Sequence, residues 1–231
     1  GANFMVPNVE IGFSNQRSWM YREDIFTEHG LEAPETWDEL YEVAKELKSI
    51  YPDSYPFVFR GNLNQFNVMG PAFGTFQSMY PDIETGEVKY GPVQDEYRTM
   101  IEHIHRMVDE GLIPPDWLSM NTQQWNEYIA TEQSFITVDY IGRIESFNNL
   151  LSESGAHFAF MPPPAGEPGG EQYILDGNYN LSGFAVFSKS DQIDAAIQYI
   201  DFLYSDEGME LVNWGVEGET YELADGEKVF M

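Results

Sequence analysis

The 231-residue sequence contains no cysteine, which excludes disulfide bonds, thiol catalysis and cysteine-based metal sites. Basic side chains are scarce: 11 lysines and arginines stand against 39 aspartates and glutamates, for a formal net charge of −28. A surface of this sign repels phosphate backbones and anionic lipid, so the sequence disfavours roles in nucleic-acid or membrane-surface binding. Hydrophobic runs are short, and none approaches the ~20 apolar residues that a membrane-spanning helix needs.

Recognisable catalytic motifs are also missing. The sequence has no G-x-S-x-G nucleophile elbow, no P-loop and no G-x-G-x-x-G fingerprint. His103 and His105 are two apart on a predicted helix, so they point in different directions and do not form a zinc-binding pair. Carboxylates are too numerous for the sequence to select an acid–base pair for glycoside hydrolysis. We therefore predict no catalytic residue, no metal ligand and no cofactor.

The best-signalled helix is predicted from Trp37 to about residue 50. Thr36 can accept a hydrogen bond from the N–H of Glu39 while the Glu39 carboxylate reaches back to Thr36, which is a capping box. Pro52 forbids continuation of the helix. One face of this helix carries apolar residues at helical spacing: Trp37, Leu40, Tyr41, Ala44 and Leu47.

The rest of the chain alternates between strand-like and helix-like patterns without an internal repeat. The proline- and glycine-rich stretch 162–172 predicts an exposed loop. Ser205 is predicted to begin a helix that carries Met209 and Val212 inward. Such alternation indicates an α/β or mixed α+β architecture. Predicted strands lie within 4–18 and at 57–59, 134–138, 157–160 and 183–188, a hairpin at 82–88, and further helices at 97–108, 123–131, 144–151 and 193–203.

The segment from Tyr21 to Leu47 carries the first motif of a known family. It contains Tyr-Arg-Glu-Asp, Gly-Leu and Pro-Glu-Thr-Trp-Asp-Glu-Leu. This string resembles the "(W/Y)-x-R-x-D … G-L … P-x-T-W-x-E-L" segment of extracellular solute-binding proteins of ABC importers, the family of the maltose-binding type. The end of the predicted helix at 108–114, Val-Asp-Glu-Gly-Leu-Ile-Pro, resembles the family's "L-x-x-E-G-L-I" element.

Further motifs follow in the family's order. Residues 155–164 resemble its "Y-x-x-x-P-x-P-x-G" segment, and 187–208 resemble "I-x-x-x-S-K" followed by "A-x-x-F-L-x-F-x-x-S-x-E-G". Residues 125–138 resemble "F-x-x-G-x-x-A-M" but lack the usual Gly and Ala. Residues 214–221, Trp-Gly-Val-Glu-Gly-Glu-Thr-Tyr, are similar to the "(Y/W)-G-I-E-G-x-x-Y" motif of a lipoprotein branch common in Gram-positive bacteria.

This resemblance implies an α/β fold of the periplasmic-binding-protein-like type II. Relatives carry a long segment before the Tyr-Arg-Glu-Asp string, so we expect a fragment that lacks most of the first lobe. The expected domains are 1–20 as the end of the first lobe and the hinge strand, and 21–182 as the second α/β lobe. Residues 183–214 are expected to form a crossing strand and helices that pack on the first lobe, and 215–231 a third crossing and a truncated tail.

The resemblance also implies a function. We expect a monomeric extracellular binder that captures a solute, with an oligosaccharide preferred, between two hinged lobes and delivers it to ABC permease subunits. We expect a lipid anchor on the outer face of the cytoplasmic membrane, outside this chain. A secreted carbohydrate-active enzyme and a non-transport adhesion or interaction module remain alternatives.

Ligand contacts are expected from polar and aromatic side chains at the cleft edge, because flat rings stack on sugars and planar polar groups bind hydroxyls. Burial in the core, or a place on the surface away from the ligand, is the alternative for the aromatic residues. Arg143 is expected to be the single strong donor or else to neutralise surface charge, and Arg22 and Asp24 to form a structural pair. A highly anionic ligand would need local cations, of which the sequence offers few. By position, the candidates are Trp19, Tyr21, Asn64, Gln65, Phe66, Asn67, Asp139, Tyr140, Arg143, Asp176, Asn178, Tyr179 and Trp214.

Overall fold

The computed structural model divides the chain into two compact units, described here separately. The large unit comprises 13–176, and the small unit comprises 1–12 together with 177–231. The structure describes residues 6–9, 17–82, 85–152, 155–167, 170, 179–224 and 226–231, with backbone only at 7–9 and 179–182. The domain boundaries expected from the sequence stay a prediction.

Strands and helices alternate along the described parts of the chain. The strands, in chain order, are β1 (Val6–Val9), β2 (Arg17–Arg22), β3 (Phe57–Val58), β4 (Met79–Pro81), β5 (Val88–Tyr90), β6 (Ile136–Tyr140), β7 (Phe158–Met161), β8 (Tyr179–Phe184), β9 (Tyr221–Ala224) and β10 (Glu227–Phe230). The helices are α1 (Glu23–His29), α2 (Trp37–Ile50), α3 (Phe66–Met69), α4 (Asp95–Asp109), α5 (Thr122–Ala130), α6 (Arg143–Leu150), α7 (Ile193–Leu203) and α8 (Asp206–Asn213).

The central sheet of the large unit has the strand order β3–β6–β2–β7. β3 runs parallel to β6, whereas β2 runs antiparallel to both β6 and β7. Arg17 lies opposite Tyr140, and Tyr21 lies opposite Ile136. The carboxyl ends of β3 and β6 and the first residue of β2 therefore meet at one edge of the sheet.

Helices cover both faces of this sheet. Successive strand residues point to opposite faces, so neighbouring residues of one strand pack against different helices. Trp19 and Phe57 face a core cluster that includes the apolar stripes of α2 and α4. Met20 and Val58 face a second cluster, built with α5 and α6. All five predicted core residues of α2 are buried, which confirms the amphipathic pattern: Trp37, Leu40, Tyr41, Ala44 and Leu47.

The start of α2 confirms half of the predicted capping box. Thr36 Oγ1 accepts from the Glu39 N–H at 3.2 Å, as predicted. The Glu39 carboxylate, however, accepts from the N–H of Glu35 at 2.8 Å, so its predicted partner Thr36 is wrong by one residue. A β-bridge to Ala165 holds this turn, since Trp37 N–H donates to the Ala165 carbonyl at 3.0 Å.

The same bridge corrects the prediction of an exposed loop at 162–172. Pro163, Pro164 and Ala165 are buried, because the segment pairs with the turn before α2. The N–H of Ala165 donates to the Glu35 carbonyl at 2.8 Å. The prediction was wrong for these residues, because proline and glycine content reports chain geometry and not the docking of the loop.

The small unit pairs β1 with β8 and β9 with β10, both antiparallel. Ser205 caps α8, accepting from the Gly208 N–H at 3.1 Å, as its sequence predicts. Met209 and Val212, predicted to point inward, are 40% and 67% exposed in the described structure, so that prediction is wrong. Across the described ranges, no helix is long and apolar enough to cross a membrane.

Candidate functional site

Charged and polar side chains gather at one end of three adjacent strands of the large unit, where β3 and β6 end and β2 begins. Arg60 follows β3, Asp139 and Tyr140 end β6, and Arg17 begins β2 opposite Tyr140. Arg143 begins α6, just after β6. We call Arg17, Arg60, Asp139, Tyr140 and Arg143 the arginine edge. In open α/β sheets, ligands bind outside the carboxyl ends of the strands, so this edge is the candidate site.

A buried carboxylate organises one side of the arginine edge. The Asp139 side chain is only 2% exposed and forms an ion pair with Arg60. Arg60 Nε lies 2.8 Å from Asp139 Oδ2, and Arg60 Nη2 donates to Oδ1 at 2.9 Å. Arg143 Nε lies 3.8 Å from the same Oδ1. Arg60 Nη1 also donates to Thr122 Oγ1 at 3.2 Å. The hydrogen bonds from Nη1 and Nη2, together with the ion-pair contact at Nε, orient the Arg60 guanidinium.

An aromatic floor lies beneath the two guanidinium groups. The ring of Trp125 is 5.1 Å from the Arg60 guanidinium carbon and 5.8 Å from that of Arg143, within cation–π range. Trp125 is fully buried, and its indole N–H donates to Thr137 Oγ1 at 2.9 Å. The core therefore holds the Trp125 ring in place, and the Arg60 and Arg143 guanidinium groups lie on its outward side.

The other face of the sheet supplies Arg17 and Tyr140. The Arg17 guanidinium carbon lies 4.9 Å from the centre of the Tyr140 ring, and Arg17 Nη1 donates to Gln65 Oε1 at 3.4 Å. Gln65 is buried, and its amide donates to the Val138 carbonyl. Tyr140 remains 38% exposed. The edge thus presents one aromatic ring stacked with a cation and open to solvent.

An open groove of about 560 Å³ runs beside the arginine edge. Asn126 and Glu127 of α5 form one wall, and Arg143 and Ser146 of α6 form the other. Amide, hydroxyl and guanidinium groups can all exchange hydrogen bonds with sugar hydroxyls. The groove therefore extends the polar surface available next to Arg143.

Among the predicted site residues, the structure brings Asp139, Tyr140 and Arg143 together at this edge. The predicted loop at 64–67 divides by burial. Asn64 is exposed, whereas Phe66 is fully buried in the core. Asn67 is half-buried, and its side-chain oxygen accepts from the Gln77 N–H at 3.1 Å, which holds the backbone of its own loop. Only Asn64 of this loop exposes an uncommitted amide in the described structure.

Trp19 and Tyr21 lie away from the arginine edge. Trp19 is 1% exposed, stacks on Phe57 at 5.2 Å and meets Trp37 edge-on at 5.7 Å, so it occupies the core. Tyr21 is at the far end of β2, about 13 Å from Arg17 at ~3.3 Å per residue. Its ring contacts Phe26 at 4.8 Å, and burial raises the pKa of its hydroxyl. The arginine edge therefore includes neither residue.

The remaining candidates belong to the small unit or fall outside the described residues. Trp214 is half-buried, stacks on Phe230 at 4.8 Å and lies 5.9 Å from Tyr221. Tyr179 begins β8, where only the backbone is described. Asp176 and Asn178 lie outside the described residues, and their roles stay predictions.

Arg17 and Arg60 are the residues that the sequence reasoning missed. Arg143 is therefore not the single arginine at the edge. Arg60 follows the strand predicted at 57–59, just as Tyr140 and Arg143 follow the strand predicted at 134–138. The position directly after a predicted strand could therefore have identified Arg60 as a site residue. Arg22 and Asp24 form the predicted structural pair, with Nε donating to Oδ1 at 2.8 Å and Nη2 to Oδ2 at 2.7 Å.

No metal cluster is found among the described residues: nowhere in those ranges do three or more histidine or acidic side chains converge to hold an ion. His103 instead contacts Trp37 and Phe73, at ring distances of 5.9 and 5.5 Å. Burial, together with the nearby Arg106 charge, lowers the pKa of His103. This histidine therefore belongs to the packing of α4.

The family is shown by comparison with known proteins. The family model described as "Bacterial extracellular solute-binding protein" matches residues 11–210. This chain therefore belongs to the bacterial extracellular solute-binding proteins, as the motifs predicted. It is 27% identical over 224 residues to lipoprotein LipO of Bacillus subtilis, a match covering 89% of this chain and 44% of LipO.

Two further matches place the chain among known structures and named binders. It is 27% identical over 225 residues to the fructooligosaccharide ABC transporter substrate-binding protein FusA of Streptococcus pneumoniae, covering 89% of this chain and 39% of FusA. The solved structure of alginate-binding protein AlgQ2 superposes with a TM-score of 0.79 at 24% identity, covering 99% of this chain and 49% of AlgQ2. The periplasmic-binding-protein-like fold is thereby confirmed. The chain spans less than half the length of these relatives.

Proposed function

We propose that this chain is the solute-binding component of an ABC importer and that it binds an oligosaccharide at the arginine edge. The observation that carries the proposal is the pairing of an exposed aromatic ring, Tyr140, with fixed hydrogen-bond donors at the carboxyl edge of the sheet. A sugar offers both a ring face for stacking and hydroxyls for such donors. Two relatives are named for binding saccharides, fructooligosaccharide for FusA and alginate for AlgQ2.

The donors of the arginine edge are oriented in advance for the hydroxyl groups of a saccharide. Arg60 and Arg143 are fixed by Asp139 and by the Trp125 floor, so they lose little conformational entropy when a ligand arrives. Tyr140 is 38% exposed beside Arg17, so part of its ring is open to contact with a sugar. Asn64 and the groove beside Arg143 can add hydrogen bonds to further sugar units.

Transport follows from the family's mode of action. Ligand contacts made by two lobes favour a closed form, which the permease subunits then recognise. In this proposal the expected domains keep their roles, with 21–182 as one lobe, and with Trp214, Tyr179, Asp176 and Asn178 contributed by the segments that cross between lobes. The protein acts outside the cell as a monomer without enzymatic activity. A lipid anchor on the outer face of the cytoplasmic membrane is proposed by analogy with the lipoprotein LipO.

A thermal-shift screen of neutral and acidic oligosaccharides tests this function. It should be run on the 231-residue chain and on the whole product of the gene that encodes it. A specific ligand at about a hundredfold over its dissociation constant should add ~2.7 kcal/mol to the free energy of unfolding. Chromatography of the same mixtures detects glycan cleavage, which would identify an enzyme instead. If no saccharide shifts either form, the proposed function is wrong.

A further inference from the structure

Positive charge is concentrated at the arginine edge of a strongly acidic chain. The chain has six arginines and five lysines against 39 acidic residues. Three of the six arginines, Arg17, Arg60 and Arg143, lie at this edge. Basic residues are therefore scarce in the chain as a whole but clustered at the arginine edge.

Among the described residues, these three cations have a single carboxylate as ion-pair partner, and only two of them reach it. Asp139 lies within ion-pair distance of Arg60 and Arg143, and Arg17 meets only the Gln65 amide and the Tyr140 ring. At the opposite edge, by contrast, Arg22 alone meets two carboxylates, those of Asp24 and Glu132. The arginine edge thus has more positive charge than its own ion pairs neutralise.

The carboxylate on the opposite wall of the groove does not neutralise this excess through an ion pair. Glu127 lines the groove on the wall facing Arg143, but within the described part of the chain it forms no ion pair with that arginine. Arg60 and Arg143 carry two positive charges against the single Asp139 carboxylate, so together they attract an incoming anion. The charge pattern therefore favours a ligand that is itself negative.

The guanidinium groups retain donors for such a ligand. Each arginine has five N–H donors in a rigid fork that matches a carboxylate. The Arg60 and Arg143 side chains are 21% and 35% exposed, so part of each fork reaches solvent. Because Asp139 and Trp125 already orient these groups, a second carboxylate can bind without reordering the site.

We propose that the arginine edge selects acidic saccharides: Arg60 and Arg143 bind the carboxylate of a uronic-acid unit, and Tyr140, at the last position of β6, contacts a sugar ring of the same oligosaccharide. This inference rests on the proposed function and narrows its ligand class. A neutral saccharide would leave the extra guanidinium charge without a partner, whereas a uronate neutralises it.

Isothermal titration with a matched ligand pair tests the proposal. The probes are trigalacturonate and its methyl-esterified form, in which each carboxylate carries a methyl group and has lost its charge while the sugar rings and linkages are the same. The whole gene product is titrated at low and at high salt. The acid should bind about tenfold more tightly than the ester, and this preference should shrink as salt screens the charges.

Two variants localise the effect. Arg143→Gln removes one cation whose contact to Asp139 is the longer one, so Arg60 continues to neutralise the buried carboxylate. Arg98→Gln makes the same charge change at an exposed position on α4, away from the edge. Arg143→Gln should remove most of the preference for the acid, and Arg98→Gln should leave it intact.

The outcomes separate this inference from the proposed function. Equal or tighter binding of the ester, or of neutral oligosaccharides, overturns the acidic preference while oligosaccharide binding stands. An equal loss of preference in both variants overturns the assignment to the arginine edge. If no saccharide of any charge binds, the proposed function fails as well.

Discussion

Asp139 and Arg60 form a two-pronged ion pair across neighbouring strands, with N–O distances of 2.8 and 2.9 Å. The carboxylate is nearly buried while the guanidinium is partly exposed. Burying the carboxylate is costly unless it is paired, so the arginine acts first as a structural partner and then as a donor that faces outward. One contact thus links the stability of the sheet edge to its capacity to bind.

Replacing Asp139 tests the structural half of this role. Asp139→Ala should lower the free energy of unfolding by about 3 kcal/mol, because Arg60 then keeps a partly buried charge without a partner. Asp53→Ala, at an exposed position, should change it by less than about 0.5 kcal/mol. Urea denaturation measures both. An Asp139→Ala variant as stable as the parent would show that the pair contributes nothing.

The two-sided core makes a second prediction with a matched pair of leucines. Leu47 of α2 is fully buried, whereas Leu150 of α6 is 55% exposed. Leu47→Ala should cost about 2–5 kcal/mol through lost burial and a cavity, and Leu150→Ala under about 1 kcal/mol. Chemical denaturation of the two variants gives the comparison. Equal costs would contradict the packing of α2 against the sheet.

Two glycines that flank α4 should respond differently to alanine. A Cβ at Gly91 would lie 1.6 Å from the Phe76 carbonyl oxygen, so the backbone would have to move. Gly111 has open space but a φ of +69°, so alanine there costs only about 1–2 kcal/mol of left-handed strain. Gly91→Ala should therefore have the larger effect on the melting temperature. The reverse order would show that the close approach at Gly91 is wrong.

His103 predicts a pH dependence of stability. Burial, followed by the charge of Arg106, lowers the pKa of its imidazole below the ordinary value of 6.5. Protonation therefore favours the unfolded chain, so this contribution is complete above pH 6.5 and is lost as pH falls toward the folded-state pKa. His103→Gln should flatten that part of the stability profile. An NMR titration giving His103 a pKa of 6.5 or higher would contradict the prediction.

Local structure was predictable where the signal lies within a few residues. Trp37–Ile50 combines a cap, an apolar stripe and a nearby proline, and each of these acts within one or two turns of helix. At Glu39 the error is of one residue, because the carboxylate accepts from the N–H of Glu35 and not from that of Thr36. The burial of 163–165 was not predictable locally, because it depends on pairing with the distant turn before α2. Met209 and Val212 show the same limit, because spacing identifies an apolar face but not what covers it.

The candidate site was predictable only in part for the same reason. Asp139, Tyr140 and Arg143 follow the strand predicted at 134–138, so their position after that strand indicates them together. Arg60 joins them through the parallel pairing of β3 with β6, and Arg17 through the antiparallel pairing of β2. Such pairings join residues far apart in the sequence, and side-chain alternation alone does not specify which strands become neighbours.

The central claim is that a saccharide binds at the arginine edge. Calorimetric titration of the Tyr140→Ala variant with an oligosaccharide tests this claim most directly. The dissociation constant of the tightest-binding oligosaccharide is measured for the parent, for Tyr140→Ala and for Tyr90→Ala, whose tyrosine is similarly exposed on β5. Loss of the stacking face at Tyr140 should weaken binding about tenfold, while the change at Tyr90 should leave affinity unaltered. Equal affinities for all three proteins would place the ligand elsewhere and contradict the account.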